Sequence, residues 1–223
     1  DIPYLAFEYV EGHSVAELIK QRRLGPADAV KLAMDVARGL AFLHGRGIYH
    51  CDIKPSNLIW TDRGCKIIDF NVAVSSEQSL SRAGGTPRYQ PPDATSPAST
   101  ADLVDRDLYA LGVTFYQVLT GEYPWDASQP QPGRAPIDPR RRSGINDLSD
   151  ALVSVVTKAI SPHRSERFTS AEQMLIALEA IGDVRRPAPE PTPLPEPTPS
   201  EANVNPFVAH LQTLYSQSTR SNA

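Results

Sequence analysis

Every second residue between Pro187 and Pro199 is proline, and this tract divides the chain into a globular region and a tail. Proline cannot donate a backbone hydrogen bond and holds φ near one value, so the tract is excluded from helix interiors and from paired strands. We expect a solvated polyproline II spacer that rises about 3.1 Å per residue. The sequence therefore predicts a globular domain over residues 1–184, a proline-rich linker over residues 185–204 and a tail over residues 205–223.

The tail has the pattern of one short amphipathic helix. Asn205 and Pro206 are typical of an N-cap followed by proline at the first helical position. The apolar residues that follow recur with helical spacing, but a single short helix cannot bury such a face by itself. We expect the tail to dock on another surface or to begin a further region. The proline tract is interpreted as a linker, with a recognition site for a proline-binding partner protein as the alternative.

The composition of the chain excludes several classes of protein. Its 223 residues include 22 Lys or Arg and 26 Asp or Glu, so the net charge of −4 gives no basic field for nucleic acid or an anionic membrane. No run of residues approaches the about 18 consecutive apolar residues that a membrane span needs. Two cysteines are too few for a disulfide framework. These observations favour a cytoplasmic protein that binds neither nucleic acid nor membrane.

The globular region has the pattern of a mainly helical α+β domain. Gly25-Pro26 is typical of a helix start, and Ser14 with Glu17 is typical of a capping box. Short apolar runs bounded by turn residues indicate strands, two of them joined by a turn over residues 61–64. We therefore expect a small sheet of short strands inserted after the second helix. The predicted helices begin near residues 14, 26, 108, 148 and 170, and the predicted strands cover residues 4–10, 48–49, 58–60 and 66–68.

The polar residues of the predicted sheet region are those that phosphoryl transfer requires. The sequence reads H-C-D-I-K-P-S-N over residues 50–57 and D-F-N over residues 69–71. Loops between short strands are a common place for a reaction site. The sequence has an aspartate, a lysine two residues later, an asparagine three further on and an aspartate after the next hairpin. Together these residues offer an acceptor for a hydroxyl proton, a cation for phosphate and oxygen ligands for magnesium.

These segments resemble the C-terminal lobe of the eukaryotic-like Ser/Thr protein kinases. The catalytic loop of that family reads H-R-D-x-K-x-x-N and is followed by D-F-G. The resemblance covers about residues 3–182 and implies a kinase C-lobe whose small sheet carries the catalytic loop; the bacterial members are the preferred origin. Further matches in the family's order are L-A-F-E-Y-V-E-G at residues 5–12, G-T-P-R-Y-Q-P-P-D at 85–93, D-L-Y-A-L-G at 107–112, G-E-Y-P-W at 121–125 and R-S-E-R-F-T at 164–169.

The resemblance implies a role for each matching residue in the transfer of the ATP γ-phosphate to Ser or Thr hydroxyls of protein substrates. Asp52 would orient the substrate hydroxyl and accept its proton, and Lys54 would hold the γ-phosphate. Asn57 and Asp69 would bind Mg²⁺, which neutralises charge on the transferring phosphate. Thr86 would bridge Asp52 and Lys54 and shape the loop on which the substrate docks.

The resemblance also implies an adenine site at the hinge. Glu8 and Val10 would offer backbone groups to adenine, Phe7 would be the gatekeeper, and Ile59 would lie beneath the ring. Ser14 is placed near the ribose by position alone. These 223 residues contain no G-x-G-x-x-G loop and no V-A-I-K lysine. We therefore expect the N-terminal lobe to be missing, Asp1 to mark a fragment, and the isolated chain to bind nucleotide weakly and to be inactive.

Departures from the family pattern affect regulation more than chemistry. Cys51 replaces the arginine that clamps a phosphate on the activation loop of many kinases, and it is interpreted as an ordinary buried thiol. Asn71 replaces the glycine of D-F-G and tolerates left-handed backbone angles better than most residues. Asp93 replaces glutamate, and we expect it to form a buried ion pair with Arg167 whose loss costs about 3–5 kcal/mol.

Three other features have plain structural interpretations. His50 is expected to be a hydrogen-bonding scaffold residue rather than a base or a ligand. Arg140-Arg141-Arg142 is interpreted as a solvated charge cluster in a loop, with substrate docking as the alternative. The serines at residues 75, 76, 79 and 81 fit a solvated loop as well as they fit sites of autophosphorylation.

Two other functions compete with an active protein kinase. The first is a catalytically silent kinase-like interaction module, which the missing lobe and Asn71 favour. The second is a small-molecule phosphotransferase of the aminoglycoside-kinase type, which shares an aspartate–asparagine–aspartate arrangement. Lys54, the segment over residues 85–93 and the helix that contains residues 107–112 fit the protein-kinase pattern better.

Overall fold

The computed structural model describes residues 8–70, 73–75, 84–94, 99–127, 130–143 and 148–181. These residues form six helices and two small antiparallel sheets. The predicted mainly helical domain with a small sheet is therefore confirmed. The helices are α1 Val15–Lys20, α2 Pro26–His44, α3 Thr100–Thr120, α4 Arg140–Ser143, α5 Asp150–Ala159 and α6 Ala171–Ile181, and short 3-10 turns cover Pro55–Asn57, Pro87–Tyr89 and Arg164–Glu166.

Helix α3 forms the centre of the core. Most of its residues are buried, which is expected of a helix surrounded by other elements rather than lying at a surface. Helices α2, α5 and α6 pack around it. A Cβ at Gly112 would lie 2.7 Å from both the Ala159 Cβ and the Ile160 Cγ2, so only glycine permits this close approach of α3 to α5. The helix ends at Gly121, whose φ of 73° is left-handed.

Helix α2 begins as its sequence predicts. Gly25 is the N-cap, Pro26 takes the first helical position, and Asp28 accepts a hydrogen bond of 3.3 Å from the Gly25 amide. One face of the helix is fully buried. That face consists of Ala29, Leu32, Ala33, Val36, Ala37 and Leu40.

The strands form two separate sheets. Strand β1 (His13–Ser14) pairs with β3 (Leu58–Thr61), and β3 pairs with β4 (Gly64–Ile67) through the predicted tight turn. Strand β2 (Ile48–Tyr49) pairs with β5 (Val74–Ser75). Residues 50–57 therefore lie between β2 of one sheet and β3 of the other.

Some local predictions are wrong. Residues 8–10 of the predicted first strand form no strand, and residues 4–7 lie outside the described residues. Ser14 is the N-cap of α1, but its side chain makes no capping hydrogen bond, so the predicted capping box with Glu17 is not formed. Ser14 belongs to β1 and pairs with Ile59 of β3. One strand of the sheet therefore precedes α2, whereas all of the sheet was predicted to follow it. The predicted linker and tail lie outside the described residues.

The predicted ion pair of Asp93 with Arg167 is present, but it is not buried on both sides. The Arg167 Nη2 lies 2.8 Å from the Asp93 Oδ1. The Arg167 side chain is 2% exposed, whereas that of Asp93 is 42% exposed. Arg167 also binds Asp105, which is 12% exposed, at 2.9 Å. Its Nε donates to the Ser161 carbonyl oxygen at 2.7 Å. The buried guanidinium is therefore satisfied mainly by groups other than Asp93.

We expect Asp93→Asn to lower the free energy of unfolding by about 1 kcal/mol or less, well below the value expected for a fully buried pair. The reason is that Arg167 keeps Asp105 and the Ser161 carbonyl when Asp93 loses its charge. Urea unfolding followed by circular dichroism measures the change. Arg167→Met is the comparison and should cost several times more. Equal losses for the two variants would contradict this assignment.

Candidate active site

The Asp52 carboxylate lies at the centre of a hydrogen-bonded cluster. Its Oδ1 accepts hydrogen bonds from the Thr86 amide at 2.9 Å and the Thr86 hydroxyl at 2.7 Å. Its Oδ2 accepts from the Lys54 Nζ at 2.6 Å and from the Asn57 Nδ2 at 3.2 Å. Four donors from three residues therefore fix the orientation of one carboxylate. Thr86 lies 34 residues from Asp52 in the sequence, so the fold brings them together.

Lys54 joins the two halves of this cluster. Its Nζ donates to Asp52 and also to the Thr86 hydroxyl at 3.0 Å, so Thr86 bridges Asp52 and Lys54 as predicted. The Lys54 side chain is 25% exposed and that of Asp52 is 12% exposed. The ion pair is thus partly shielded, yet both groups remain reachable from solvent.

The hydrogen bonds determine the charge of Asp52. Burial by itself would raise the pKa of this carboxyl group, but the donors Lys54 and Thr86 outweigh burial and hold the pKa below its ordinary value. Asp52 is therefore ionised at neutral pH. An ionised carboxylate with fixed geometry can accept a proton from a hydroxyl group within hydrogen-bonding distance.

Asn57 and Asp69 are brought close together by the backbone. The amide of Ile68, the residue before Asp69, donates to the Asn57 carbonyl oxygen at 2.9 Å. Asn57 is buried, and its Nδ2 also donates to the Asp52 carbonyl oxygen at 3.0 Å. These bonds occupy the nitrogen of the amide group and leave its Oδ1 with only a 3.4 Å contact from the Ser56 hydroxyl. Asp69 is exposed.

This pair of oxygen donors fits Mg²⁺. Magnesium in phosphoryl-transfer sites is held by one or two protein oxygens together with phosphates of the substrate, rather than by a cage of protein ligands. Accordingly, no cluster of three or more His, Cys, Asp or Glu side chains is arranged for a metal ion within the described ranges. Asn57 Oδ1 and the Asp69 carboxylate would hold the ion in company with a nucleotide.

Two residues of the site have strained backbones. Cys51 and Asp69 have φ angles of 63° and 65°, in the left-handed region that few residues other than glycine adopt. They stand directly beside Asp52 and at the predicted metal site. Such strain persists only where the surrounding structure imposes it, and it is concentrated at functional sites.

A buried aspartate imposes the strained conformation at Cys51. The Asp107 carboxylate is fully buried and accepts hydrogen bonds from the His50 amide at 2.9 Å and the Cys51 amide at 2.7 Å. The Nε2 of His44 lies 3.0 Å from the same carboxylate. Helix α3 therefore holds the backbone directly before Asp52. The sequence pattern does not predict this role for Asp107; the available signal is a carboxylate at the start of the long apolar run of α3.

His50 connects the catalytic loop to the segment of Asp69. Its ring is fully buried, its Nε2 lies 3.1 Å from the Ile68 carbonyl oxygen, and its Nδ1 accepts from the Asp52 amide at 3.3 Å. The ring also packs edge-on against Phe70, with the centroids 5.1 Å apart. The prediction that His50 is a hydrogen-bonding scaffold residue is confirmed.

Both cysteines are free thiols whose surroundings disfavour the thiolate form. Burial, reinforced by the charge of Asp107, raises the pKa of Cys51 to about 12. Burial likewise raises the pKa of Cys65 to about 12, with Asp35 as the next cause. The thiolate is the reactive form, so neither residue has the character of a redox or nucleophilic centre. The interpretation of Cys51 as an ordinary buried thiol is confirmed.

Three of the residues predicted to bind adenine and ribose, Glu8, Ser14 and Ile59, belong to the three-stranded sheet or contact it. Ser14 and Ile59 are direct partners between β1 and β3, and Ile59 is also opposite Lys66 of β4. The Glu8 carboxylate pairs with the Lys66 Nζ at 3.1 Å. Strand β3 begins directly after Asn57, so this surface adjoins the catalytic cluster. Val10 is half-buried, and Phe7 lies outside the described residues.

The arginine cluster at residues 140–142 is not the solvated loop that was expected. These residues form helix α4, and Arg142 is only 18% exposed because it pairs with Glu122 and Asp126. Arg140 pairs with Asp150 and donates to the Leu148 carbonyl oxygen at 3.1 Å. The ion pairs therefore connect α4 to the segment after α3 and to the start of α5, while Arg141 is exposed. Asn71 and the serines at 76, 79 and 81 lie outside the described residues.

Comparison with known sequences places the chain in a family. The sequence model of the protein kinase domain matches residues 1–177. The chain belongs to the protein kinase domain family. Helices long and apolar enough to cross a membrane are absent from the described part of the chain.

Several bacterial proteins are similar to this chain. Serine/threonine-protein kinase PksC of Streptomyces coelicolor is 34% identical over 77% of the chain and 34% of its own length. PknB of Mycolicibacterium smegmatis is 28% identical over 83% of the chain and 31% of its own length. Serine/threonine-protein kinase pkn3 of Myxococcus xanthus is 31% identical over 82% of the chain and 37% of its own length. The chain therefore spans about a third of the length of these relatives.

Proposed function

We propose that this chain is the catalytic half of a Ser/Thr protein kinase that transfers the γ-phosphate of ATP to Ser or Thr hydroxyls of proteins. The observation that carries the proposal is the Asp52 carboxylate, held by Thr86, Lys54 and Asn57 in one orientation. A structural role does not require a partly exposed carboxylate, ammonium and carboxamide to converge in this way. The family and the names of its relatives support the same function.

Asp52 acts on the acceptor hydroxyl group. Its lowered pKa keeps it ionised, and its bonds to Thr86 leave the carboxylate aimed at one position. A substrate hydroxyl bound there donates its proton to Asp52 as its oxygen attacks the γ-phosphorus of ATP, and the bond from that phosphorus to the leaving ADP breaks. Lys54, 2.6 Å from the same carboxylate, is close enough to neutralise charge on the phosphoryl group in transfer.

Asn57 and Asp69 would hold Mg²⁺ and, through it, the nucleotide. Mg²⁺, when bound, neutralises charge on the phosphates. The Asn57 Oδ1 is directed by the two bonds of its Nδ2, and the Asp69 carboxylate is exposed on the neighbouring backbone. Glu8, Val10, Ser14 and Ile59 would line the nucleoside end of the site beside them.

The proposed organisation follows the sequence. Residues 1–184 would comprise the hinge and C-lobe of the kinase domain, residues 185–204 a proline-rich linker, and residues 205–223 a helical tail. A cytoplasmic location in a bacterium fits the charge balance and the relatives, and the linker offers a site for a proline-binding partner. Protein substrates follow from the kinase function.

The function is tested with the longest natural polypeptide that contains this chain. It is incubated with a serine- and threonine-containing protein, Mg²⁺ and ATP labelled at the γ-phosphate, and the product is analysed for phosphoserine and phosphothreonine. We expect labelled phosphoserine and phosphothreonine in the product. When EDTA removes the metal, this labelling should be lost. Asp69→Asn should lower the rate at least about tenfold, because it removes a charged ligand of Mg²⁺.

The matched control is Asp62→Asn, since Asp62 is an exposed aspartate in the turn between β3 and β4. This variant should retain the wild-type rate. A protein that binds no Mg²⁺·ATP in calorimetry would instead be a silent interaction module. Label found only on a small-molecule hydroxyl would indicate the other class of phosphotransferase.

A further inference from the structure

Arg88 lies on the segment that contacts the catalytic carboxylate. Thr86, two residues earlier, binds Asp52 through both its amide and its hydroxyl group. Residues Pro87–Tyr89 form a single 3-10 turn, which rises only about 2 Å per residue. The Cα of Arg88 is therefore held within a few ångströms of a residue that touches Asp52. Its side chain is exposed.

An aromatic residue holds the Arg88 side chain in place. The guanidinium carbon lies 4.4 Å from the centre of the Tyr123 ring, and the Tyr123 hydroxyl donates to the Arg88 carbonyl oxygen. Tyr123 is buried and packs edge-on against Trp125, with the centroids 5.4 Å apart. The guanidinium thus rests on a rigid wall, so little side-chain entropy is lost when it binds a ligand.

The charge of Arg88 is not neutralised within the part of the chain that the structure describes. No Asp or Glu there forms an ion pair with it, whereas Arg142 and Arg167 each pair with two carboxylates. The next two side chains on the same segment, Tyr89 and Gln90, are uncharged. Tyr89 donates to Gln117 at 2.8 Å, and Gln90 donates to the Gly84 carbonyl oxygen at 3.2 Å. Arg88 is therefore an available cation next to the reacting groups.

The catalytic aspartate does not cancel this field. The negative charge of Asp52 is already paired with the Lys54 ammonium at 2.6 Å. Within the part of the chain that the structure describes, an acceptor chain with its hydroxyl at Asp52 would thus find a guanidinium at Arg88 that forms no ion pair, on a protein whose net charge is −4. Guanidinium groups bind carboxylates and phosphates through paired hydrogen bonds, which gives them selectivity for those ligands.

We propose that Arg88 selects acceptor proteins that carry an acidic side chain close to the phosphorylated Ser or Thr. This inference rests on the proposed kinase function and adds to it the class of substrate. An extended peptide advances about 3.3 Å per residue, and the arginine side chain reaches several ångströms from its Cα, so the acidic side chain lies within about four residues of the acceptor. Arg88 is a specificity residue here and takes no part in the chemical step.

The test uses the longest natural polypeptide that contains the chain and a set of synthetic peptides with one serine. Each peptide exists in a glutamate form and a lysine form that differ at one position within about four residues of the serine. We expect the glutamate form to have a kcat/KM about tenfold higher at one or two positions, and Arg88→Glu to reverse that ratio. Arg88→Gln should reduce the ratio to near one.

Arg46→Glu is the matched control. Arg46 is also an exposed arginine whose guanidinium lies over an aromatic ring, 3.5 Å from the centroid of Phe42, but it follows helix α2 and is not on the segment that binds Asp52. This variant should keep both the wild-type rate and the wild-type ratio. Thermal unfolding of all variants verifies that they are folded.

Each outcome decides the inference. A reversed ratio in Arg88→Glu, with Arg46→Glu unchanged, supports it. A wild-type enzyme that phosphorylates both peptide forms equally, or an Arg88→Glu variant that keeps the preference for glutamate, overturns it while leaving the kinase function intact. An enzyme that phosphorylates no peptide and no protein overturns the proposed function together with the inference.

Discussion

Replacing Asp52 with asparagine is expected to lower the rate of phosphoryl transfer about a thousandfold, within the range measured for loss of a general base. Asparagine preserves the size of the side chain, and its oxygen can still accept both hydrogen bonds of Thr86. Its NH₂ group takes the place of the oxygen that accepts from Lys54 and Asn57, so those two bonds are lost. Asparagine cannot accept a proton from a hydroxyl group at neutral pH. The loss should therefore appear in kcat, whereas the affinity for Mg²⁺·ATP changes little.

The measurement is single-turnover transfer of labelled phosphate, with calorimetry for nucleotide binding, on the longest natural polypeptide containing the chain. Asp62→Asn is again the control, because Asp62 is an exposed turn residue outside the cluster. A variant at Asp52 with the wild-type rate would exclude this residue as the proton acceptor. A variant that loses nucleotide binding to the same extent as activity would show that Asp52 serves binding instead.

The pKa of Asp52 adds a dependence on pH to the same variant. Because the folded pKa lies below the unfolded one, the ionised carboxylate stabilises the native state above the unfolded value of about 4. That contribution is lost as the pH falls through the folded pKa. The difference in unfolding free energy between wild type and Asp52→Asn should therefore shrink as the solution is acidified.

Local sequence predicts those parts of this domain that are determined locally. Helix α2 begins where Gly25 and Pro26 indicate, since a fixed φ at the first helical position is set within the residue itself. The turn over residues 61–64 joins β3 and β4 because its side chains favour turn conformations. The polar loop over residues 50–57 is also predictable from local sequence, because its acidic, basic and amide side chains are close neighbours along the chain.

Several interactions between distant residues could not be read from local sequence patterns. The capping box at Ser14 fits the local pattern, yet Ser14 is held in a strand by Ile59, which lies far along the chain. Arg167 was assigned to Asp93, but Asp105 and the Ser161 carbonyl share the guanidinium. Arg140 and Arg142 form ion pairs with carboxylates that only the folded chain brings to them. Tertiary contacts decide these cases over local propensity.

Asp107 is the clearest example of a residue whose importance depends on the fold. Replacing it with asparagine is expected to lower the free energy of unfolding by about 3–5 kcal/mol, because two buried backbone N–H groups lose a charged acceptor. The His50 and Cys51 amides both donate to this carboxylate, although they are separated from Asp107 by 57 and 56 positions in the sequence. The asparagine amide has one acceptor oxygen, so its NH₂ group must face one of these donors.

The effect should extend from stability to catalysis. Cys51 precedes Asp52 and has the strained φ of 63°, which the bond to Asp107 helps to maintain. When that bond is lost, the backbone directly before Asp52 is held less firmly, although Thr86, Lys54 and Asn57 still bind the carboxylate. The kcat should therefore fall even under conditions where the variant is fully folded. Urea unfolding gives the stability, and transfer of labelled phosphate in the absence of urea gives the rate.

The control for Asp107→Asn is Asp150→Asn, at an aspartate whose side chain is 99% exposed although it pairs with Arg140. Exposed ion pairs contribute about 1 kcal/mol or less, so this variant should remain close to wild type in both measurements. Similar losses for the two variants would mean that the buried carboxylate does not hold the catalytic loop. A large loss of stability confined to Asp107→Asn, accompanied by a lower kcat, would establish that helix α3 positions Asp52 through the backbone that precedes it.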